Sequence, residues 1–298
     1  MERRRLGKTG LIVSLLGFGG SEIGYEDASV ATVERLLGSA LDAGLNLIDT
    51  AACYADSESL IGRAVAHRRK DYFLLTKCGH DGDEFGLEDW HPGLISKSIE
   101  RSLTRLRTDH LDVVQLHSCD EETLRDGAVI AALQRARDLG LTRFIGYSGD
   151  SDAALWAVQS GVFDTLQISV NIADQEAITR ILPVAVERDM GVIAKRPIAN
   201  AAWMGSWFSR DDYSRPYARR LRQLRYPFLK RKADAVATAL RFTLTTPGVH
   251  TAIVGTKRPS RWEQNAALTA QGPLPENDYK AIRARWNDVA LSKWVGQR

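Results

Sequence analysis

Asp49, Tyr54, Lys77 and His117 are the residues of this chain whose types and surroundings could carry proton transfer. Asp49 follows the apolar run 45–48, Lys77 ends YFLLTK at 72–77, and His117 ends LDVVQLH at 111–117. A charge at the end of a buried strand needs a partner, because an isolated ion in an apolar medium is too costly to keep. Taken alone, Asp49 could simply cap the next turn. Three apolar strands that each finish on one ionisable residue point instead to a shared site at strand C-termini. Tyr54 follows Asp49 and Thr50 through a turn of small residues. A free phenol titrates near ~10 and is a poor acid at neutral pH. An ammonium beside it lowers that value, and a carboxylate paired to the ammonium fixes its position and charge. Lys77 and Asp49 could supply the two, leaving Tyr54 as a tuned general acid worth roughly 10²–10⁴ in rate. Strand parity favours convergence: Lys77 shares a face with Leu75, and His117 with Gln115.

The elements that must position these residues alternate regularly. Residues 3–6 and 11–13 read as a small hairpin around a turn at 8–10. A core strand at 14–20 runs into glycines. Residues 29–43 carry Val30, Val33, Leu36, Leu37, Ala40 and Leu41 at the spacing of one helix face, stopped by Gly44. The strand at 46–50 precedes a helix at 57–67, with Ser57 as its N-cap. Strand 72–77 then precedes helix 92–106, strand 111–117 helix 128–139, strand 143–148 helix 152–159, and strand 165–170 helix 176–188. Strand 192–195 is followed by a long irregular stretch at 199–232 and a helix at 233–244, and strand 251–255 by a helix at 259–268. With the strand at 14–20, these make eight βα units, which predict an α/β protein of the (β/α)8 TIM-barrel type. An extra helix at 277–289 follows, and the absence of any linker predicts one domain over 1–298. The stretch 199–232 suits a lid or substrate wall, or a surface excursion with incidental aromatics.

Composition narrows the partners. A net charge of +3 is too small to argue for nucleic acid or an anionic membrane. No apolar run approaches the ~20 residues of a membrane span. The basic start MERRRLGKTG runs into Gly and Thr where a signal peptide would be apolar, so a cytoplasmic protein is expected. Three cysteines without a CxxC give no disulfide framework and no metal spacing. Cys53, Cys78 and Cys119 all fall near the barrel mouth, where packing, redox sensitivity beside Lys77 and a zinc site with His117 are the readings to separate. Parity turns Cys78 away from Lys77, against the metal. Gly17, Gly19 and Gly20 lack the spacing of a Rossmann phosphate loop; they allow close approach of a ligand or a tight turn.

IDTAACY, LLTKCG and VVQLHS resemble the signature segments of the aldo-keto reductases, and the likeness extends in order over almost the whole chain. Carried over residue by residue, the resemblance places that family's catalytic tetrad on Asp49, Tyr54, Lys77 and His117. It implies an NADPH-dependent carbonyl reductase in which Tyr54 protonates the carbonyl oxygen, Lys77 with Asp49 tunes the tyrosine, and His117 orients the carbonyl. For the nicotinamide carboxamide it implies Ser148, Gly149 and Gln167, with Gly149 standing where family members carry asparagine. For the adenosine 2′-phosphate and adenine it implies Gly255, Thr256, Lys257, Arg261, Gln264 and Asn265, with Gln264 replacing a frequent glutamate. It also implies that Arg196 lies beside the nicotinamide, where many members have an aromatic residue or serine.

A glycine-containing turn at a helix start can present N–H groups to phosphate, and Lys257, Arg258 and Arg261 add charge there. A solvated basic helix face is the alternative. The cations favour NADPH over NADH. Trp90, His91, Trp203 and Trp207, in loops after strands, predict an apolar or aromatic-lined pocket for a small-molecule carbonyl or alcohol, while Arg196, Arg210 and Arg215 leave room for an acidic one. Two other functions compete: an NADPH-binding regulatory subunit without turnover, and a Lys77 Schiff-base aldolase, which would need an uncharged lysine.

Overall fold

The computed structural model describes residues 1–204 and 214–297. Two short antiparallel strands, β1 (Arg3–Arg5) and β2 (Ile12–Ser14), pair Arg3 with Ser14 and Arg5 with Ile12. The turn between them carries Leu6 and Leu11, which bury with Val13 against Leu47, Leu75, Val113 and Ile193. Those four residues lie inside a closed barrel of eight strands: β3 (Leu16–Gly19), β4 (Leu47–Asp49), β5 (Phe73–Cys78), β6 (Leu111–His117), β7 (Thr142–Ser148), β8 (Thr165–Ser169), β9 (Gly191–Lys195) and β10 (Thr251–Val254). All neighbours in the barrel are parallel, and β10 closes it against both β3 and β9. The hairpin therefore plugs the end at which the strands begin, and the (β/α)8 expectation is met.

Side chains alternate across a strand with a period of two, so the inward residue two positions past each of these four lies one layer higher. Leu47 leads to Asp49, Leu75 to Lys77, Val113 to Gln115, and Ile193 to Lys195. An apolar lower layer and a polar upper layer thus follow from one parity.

Around the barrel lie α1 (Ser21–Tyr25), α2 (Val30–Asp42), α3 (Ser57–Val65), α4 (Pro92–Leu106), α5 (Glu121–Asp126), α6 (Ala128–Asp138), α7 (Ser151–Ser160), α8 (Glu176–Arg180), α9 (Leu182–Glu187), α10 (Arg215–Leu224), α11 (Lys232–Thr245), α12 (Pro259–Thr269) and α13 (Glu276–Val289). Helix α2 is typical of them. Ser29 Oγ accepts the Thr32 N–H at its start, and Val33, Leu36, Leu37, Ala40 and Leu41 are buried. Each large apolar side chain so buried contributes roughly 1.5–3 kcal/mol. Gly44, at φ +94°, ends the segment in a conformation that a residue with a Cβ resists.

Several expectations need correcting. Residues 176–188 form two helices, because Pro183 in the first turn of α9 has no N–H to continue α8. Ser57 does not cap α3: Asp56 holds that position, and the buried Ser57 hydroxyl donates to Gly20 O at 2.7 Å. The stretch 199–232 contains α10, whose apolar stripe of Tyr217, Ala218, Leu221 and Leu224 is buried between arginines. The short α1 and α5 were also not anticipated. No helix among the described residues is long and apolar enough to cross a membrane.

Candidate active site

Asp49 and Lys77 meet in the upper layer of the barrel, with Lys77 Nζ 2.6 Å from Asp49 Oδ2 and side-chain exposures of 0% and 1% for the lysine and aspartate. The ammonium also donates to Thr50 O at 2.7 Å. On its other oxygen, Asp49 accepts from Gln167 Nε2 at 2.8 Å and from Gln115 Nε2 at 3.3 Å. Burial pushes the Asp49 pKa up, and the Lys77 charge and the hydrogen bonds from Lys77 and Gln167 oppose it. Only donors face the carboxyl oxygens in these contacts, which is the surrounding an ionised carboxylate requires.

Tyr54 arrives from the turn after β4, held by its N–H to Ala51 O at 3.1 Å. Lys77 Nζ lies 5.0 Å from the centroid of its half-buried ring. Helix α1 packs tightly here: a Cβ on Gly24 would fall 2.1 Å from Tyr54 O. His117 stands edge-on to the Tyr54 ring, with centroids 5.5 Å apart. Burial, then Lys77, Lys195, His80 and Arg196, push His117 well below the ordinary histidine value of 6.5. It is therefore a neutral imidazole at neutral pH. The four residues singled out by type and spacing converge on one end of the barrel.

Ser148 and Gln167 are neighbours across β7 and β8, and the Ser148 hydroxyl donates to Gln167 Oε1 at 3.3 Å. Gly149 is without a side chain for a specific reason. A Cβ there would sit 2.3 Å from the Tyr147 hydroxyl, which donates to Cys119 O at 2.6 Å. Arg196 holds a left-handed backbone at φ +56° just past β9. Its Nη1 donates to Ser169 Oγ at 3.1 Å and to Gln297 O at 2.6 Å, drawing the C-terminal tail over this part of the barrel end.

Gly255, Thr256 and Lys257 connect β10 to α12, and Thr256 Oγ1 accepts the Arg258 N–H at 3.1 Å. Asn265 is buried, while Arg261 and Gln264 are exposed. Two carboxylates share these cations. Lys257 pairs with Glu26 at 2.9 Å, and Glu22, raised by burial and by Glu26, feels Lys257 and Arg261 in opposition.

The four expected pocket residues do not behave alike. Trp90 packs against the core and edge-on to His80, with centroids 4.6 Å apart, and a Cβ on Gly79 would strike its ring. His91 is exposed, and its Nδ1 accepts the Gly93 N–H at 3.0 Å, so it caps α4. Trp203 packs on a separate apolar cluster with Tyr217, Trp286 and Trp294. Trp207 and Arg210 lie outside the described residues. Cys78 is buried with its thiol pushed above the usual range by burial, and Cys119 is pushed up to about 12 for the same reason. No cluster able to hold a metal occurs among the described residues.

Three features escaped the sequence reading. Gln115 supports Asp49, and its parity with His117 was the available signal. His80 Nε2 donates to His117 O at 2.8 Å while its Nδ1 meets Asp89 at 2.6 Å. Lys195 and Asp150 form a second ion pair at 2.9 Å, with the aspartate buried and the lysine half-buried. That pair had the same signature as the first, an ionisable residue at or just past the end of an apolar strand.

Residues 15–287 match the aldo/keto reductase family, and the chain belongs to it. It is 29% identical over 290 residues to L-galactose dehydrogenase of Arabidopsis thaliana, covering 91% of this chain and 89% of that one. A solved putative aldo-keto reductase from Pseudomonas aeruginosa superposes with a TM-score of 0.73 at 28% identity, covering 90% of this chain and 94% of that one. The holo form of an aldo-keto reductase from Bacillus halodurans shares the fold over 99% of both chains, with a TM-score of 0.84 at 24% identity. The protein is thus an oxidoreductase of this family, whose members generally use nicotinamide nucleotides.

Proposed function

We propose that the protein interconverts an aldehyde or ketone with its alcohol, using NADPH in preference to NADH, with Tyr54 as the general acid. The observation that carries this is the Lys77 ammonium, paired to Asp49 and lying 5.0 Å from the centre of the Tyr54 ring. A cation held there by a buried carboxylate favours phenolate over phenol, which suits the tyrosine to give up a proton. In the reducing direction, Tyr54 Oη gives its proton to the carbonyl oxygen and Lys77 stabilises the phenolate left behind. His117, neutral, orients the carbonyl by a hydrogen bond and adds no competing charge. A nicotinamide nucleotide held beside Ser148 and Gln167 would supply the hydride for the carbonyl carbon, or accept it in the reverse direction. The 2.6 Å ion pair with Asp49 engages the Lys77 nitrogen, which opposes Schiff-base chemistry there.

The residues present fit such a nucleotide. Ser148 and Gln167 put a hydroxyl and an amide side by side next to the tetrad, a suitable pair for a carboxamide. The start of α12, an eleven-residue helix, offers N–H groups with Lys257, Arg258 and Arg261 around them, a suitable setting for phosphate. Because one relative is named as a sugar dehydrogenase, aldoses belong with simple aldehydes and ketones in the substrate panel.

Quenching of tryptophan fluorescence by NADPH and by NADH tests the cofactor. Lys257→Ala and Arg261→Ala are expected to weaken NADPH by roughly 10–100-fold, the scale of hydrogen bonds to a charged group, and to leave NADH nearly unchanged. Glu26→Gln, which frees Lys257, is expected to tighten NADPH a few-fold. Equal binding of both nucleotides in every variant would remove the NADPH preference, and no binding of either would remove the reductase assignment.

A further inference from the structure

A neutral imidazole carries its one proton on either nitrogen, and the bond made by one nitrogen decides the state of the other. His117 Nδ1 lies 3.3 Å from Cys53 Sγ. Cys53 comes from the same turn as Tyr54 and directly precedes it, so one backbone segment delivers both a phenol and a thiol to the site. The segment is braced from outside: Tyr25 Oη donates to Cys53 O at 2.8 Å, and the Tyr25 ring packs on Tyr54 with centroids 5.9 Å apart. The strand end bearing His117 is braced as well, through His80 Nε2 and the His117 carbonyl. That contact is made to the backbone and leaves the ring nitrogens to other partners.

The direction of the Cys53–His117 bond follows from the two groups. Thiol sulfur is a weak acceptor, while the unprotonated nitrogen of an imidazole is a good one, so the proton of the pair belongs on sulfur. Burial keeps the thiol protonated against the pull of Lys77, and burial with the surrounding cations keeps the imidazole neutral. With S–H donating to Nδ1, the ring proton resides on Nε2.

We infer that Cys53 is a positioning residue: its thiol holds His117 in the Nε2–H tautomer, so that the neutral ring donates a hydrogen bond to the carbonyl oxygen that Tyr54 protonates. The inference rests on the carbonyl-reductase assignment for the role of His117, but the tautomer itself belongs to the resting protein and can be measured without turnover. The opposite tautomer would present a lone pair to the carbonyl oxygen and repel it.

Nitrogen-15 NMR of the full chain, labelled at histidine and with the His117 signals identified by their loss in His117→Gln, reads the tautomer at neutral pH. A protonated Nε2 with an accepting Nδ1 is expected in the unsubstituted protein, a mixture of tautomers in Cys53→Ala, and the Nε2–H form again in Cys53→Ser. Carbonyl turnover should fall about tenfold in Cys53→Ala, the scale of one hydrogen bond. It should recover most of that loss in Cys53→Ser, while NADPH quenching stays the same in all three. A protonated Nδ1 in the unsubstituted protein, or an unchanged Nε2–H tautomer in Cys53→Ala, would overturn the inference even in an active enzyme. Absence of turnover or of nucleotide binding in the unsubstituted protein would instead overturn the reductase assignment, whatever tautomer is found.

Discussion

Two lysine–aspartate pairs share the C-terminal rim of the barrel, and they differ in what surrounds them. Lys77 and Asp49 are 2.6 Å apart and sealed from water, and the ammonium lies against the Tyr54 ring. Lys195 and Asp150 are 2.9 Å apart, with the lysine side chain 13% exposed. Asp150 is held by the Ser169 N–H at 2.8 Å and its hydroxyl at 3.3 Å, and Arg196 approaches to 4.0 Å. Among the described residues no aromatic ring packs on Lys195. Burial lowers the Lys195 pKa, with Asp150 opposing. An ion pair at a barrel rim is therefore not by itself a catalytic device. In the proposed mechanism the first pair acts on a third group, the phenol, whereas the second ties β7, β8 and β9 together beneath the C-terminal tail.

The largest expected effect breaks the comparison at the phenol. Tyr54→Phe should lower carbonyl turnover by roughly 10²–10⁴, the usual worth of a positioned proton donor, and leave nucleotide quenching intact. Lys195→Met in the same assay should retain most of the turnover; if the two losses match, the pairs are not functionally distinct. A smaller contrast concerns stability. Asp49→Asn strands Lys77 in the barrel without a counter-charge and is expected to cost about 3–5 kcal/mol in chemical denaturation. Asp150→Asn should cost less, because Lys195 reaches some water and Ser169 can still donate to the amide oxygen.

The smallest effect is one of pH. His117 has a folded pKa below that of an unfolded histidine, so between the two values the unfolded chain binds the extra proton. Its contribution to stability is complete above about 6.5 and is lost as pH falls toward and through the depressed folded value. His117→Gln should remove that part of the slope when unfolding free energy is followed downward from pH 7. Lys77→Met should return the histidine pKa toward its ordinary value by more than Lys195→Met does, since Lys77 is the stronger of the two charges acting on it. Equal shifts from the two substitutions would place both lysines at the same electrostatic distance from the ring.

Much of this arrangement is written locally. Period-two alternation carries Leu75 to Lys77 and Gln115 to His117 within single strands, so the inward direction of each was legible without knowledge of the neighbours. The stops at Gly44, Gly140 and Gly161 were legible for a related reason: each takes a positive φ, which glycine adopts freely because it has no Cβ. The break between α8 and α9 was legible in principle from Pro183. Helix α10 was hidden because its few apolar residues are spread among Arg215, Arg219, Arg220 and Arg222, and only packing against α13 and the tail reveals which face is buried.

By itself, the sequence determined the order of the barrel strands and of most helices between them, the polar residues at strand ends and the family to which the chain belongs, because these depend on neighbours a few positions apart. Beyond the pairing of Lys77 with Asp49, tertiary structure alone decided which polar side chains meet. Asp150 reaches Lys195 across β8, Gln167 reaches Asp49 across the barrel interior, and Cys53 comes within hydrogen-bonding distance of His117, all through barrel closure. Closure brings together side chains far apart in the chain, and an interior of low dielectric makes their partnership obligatory.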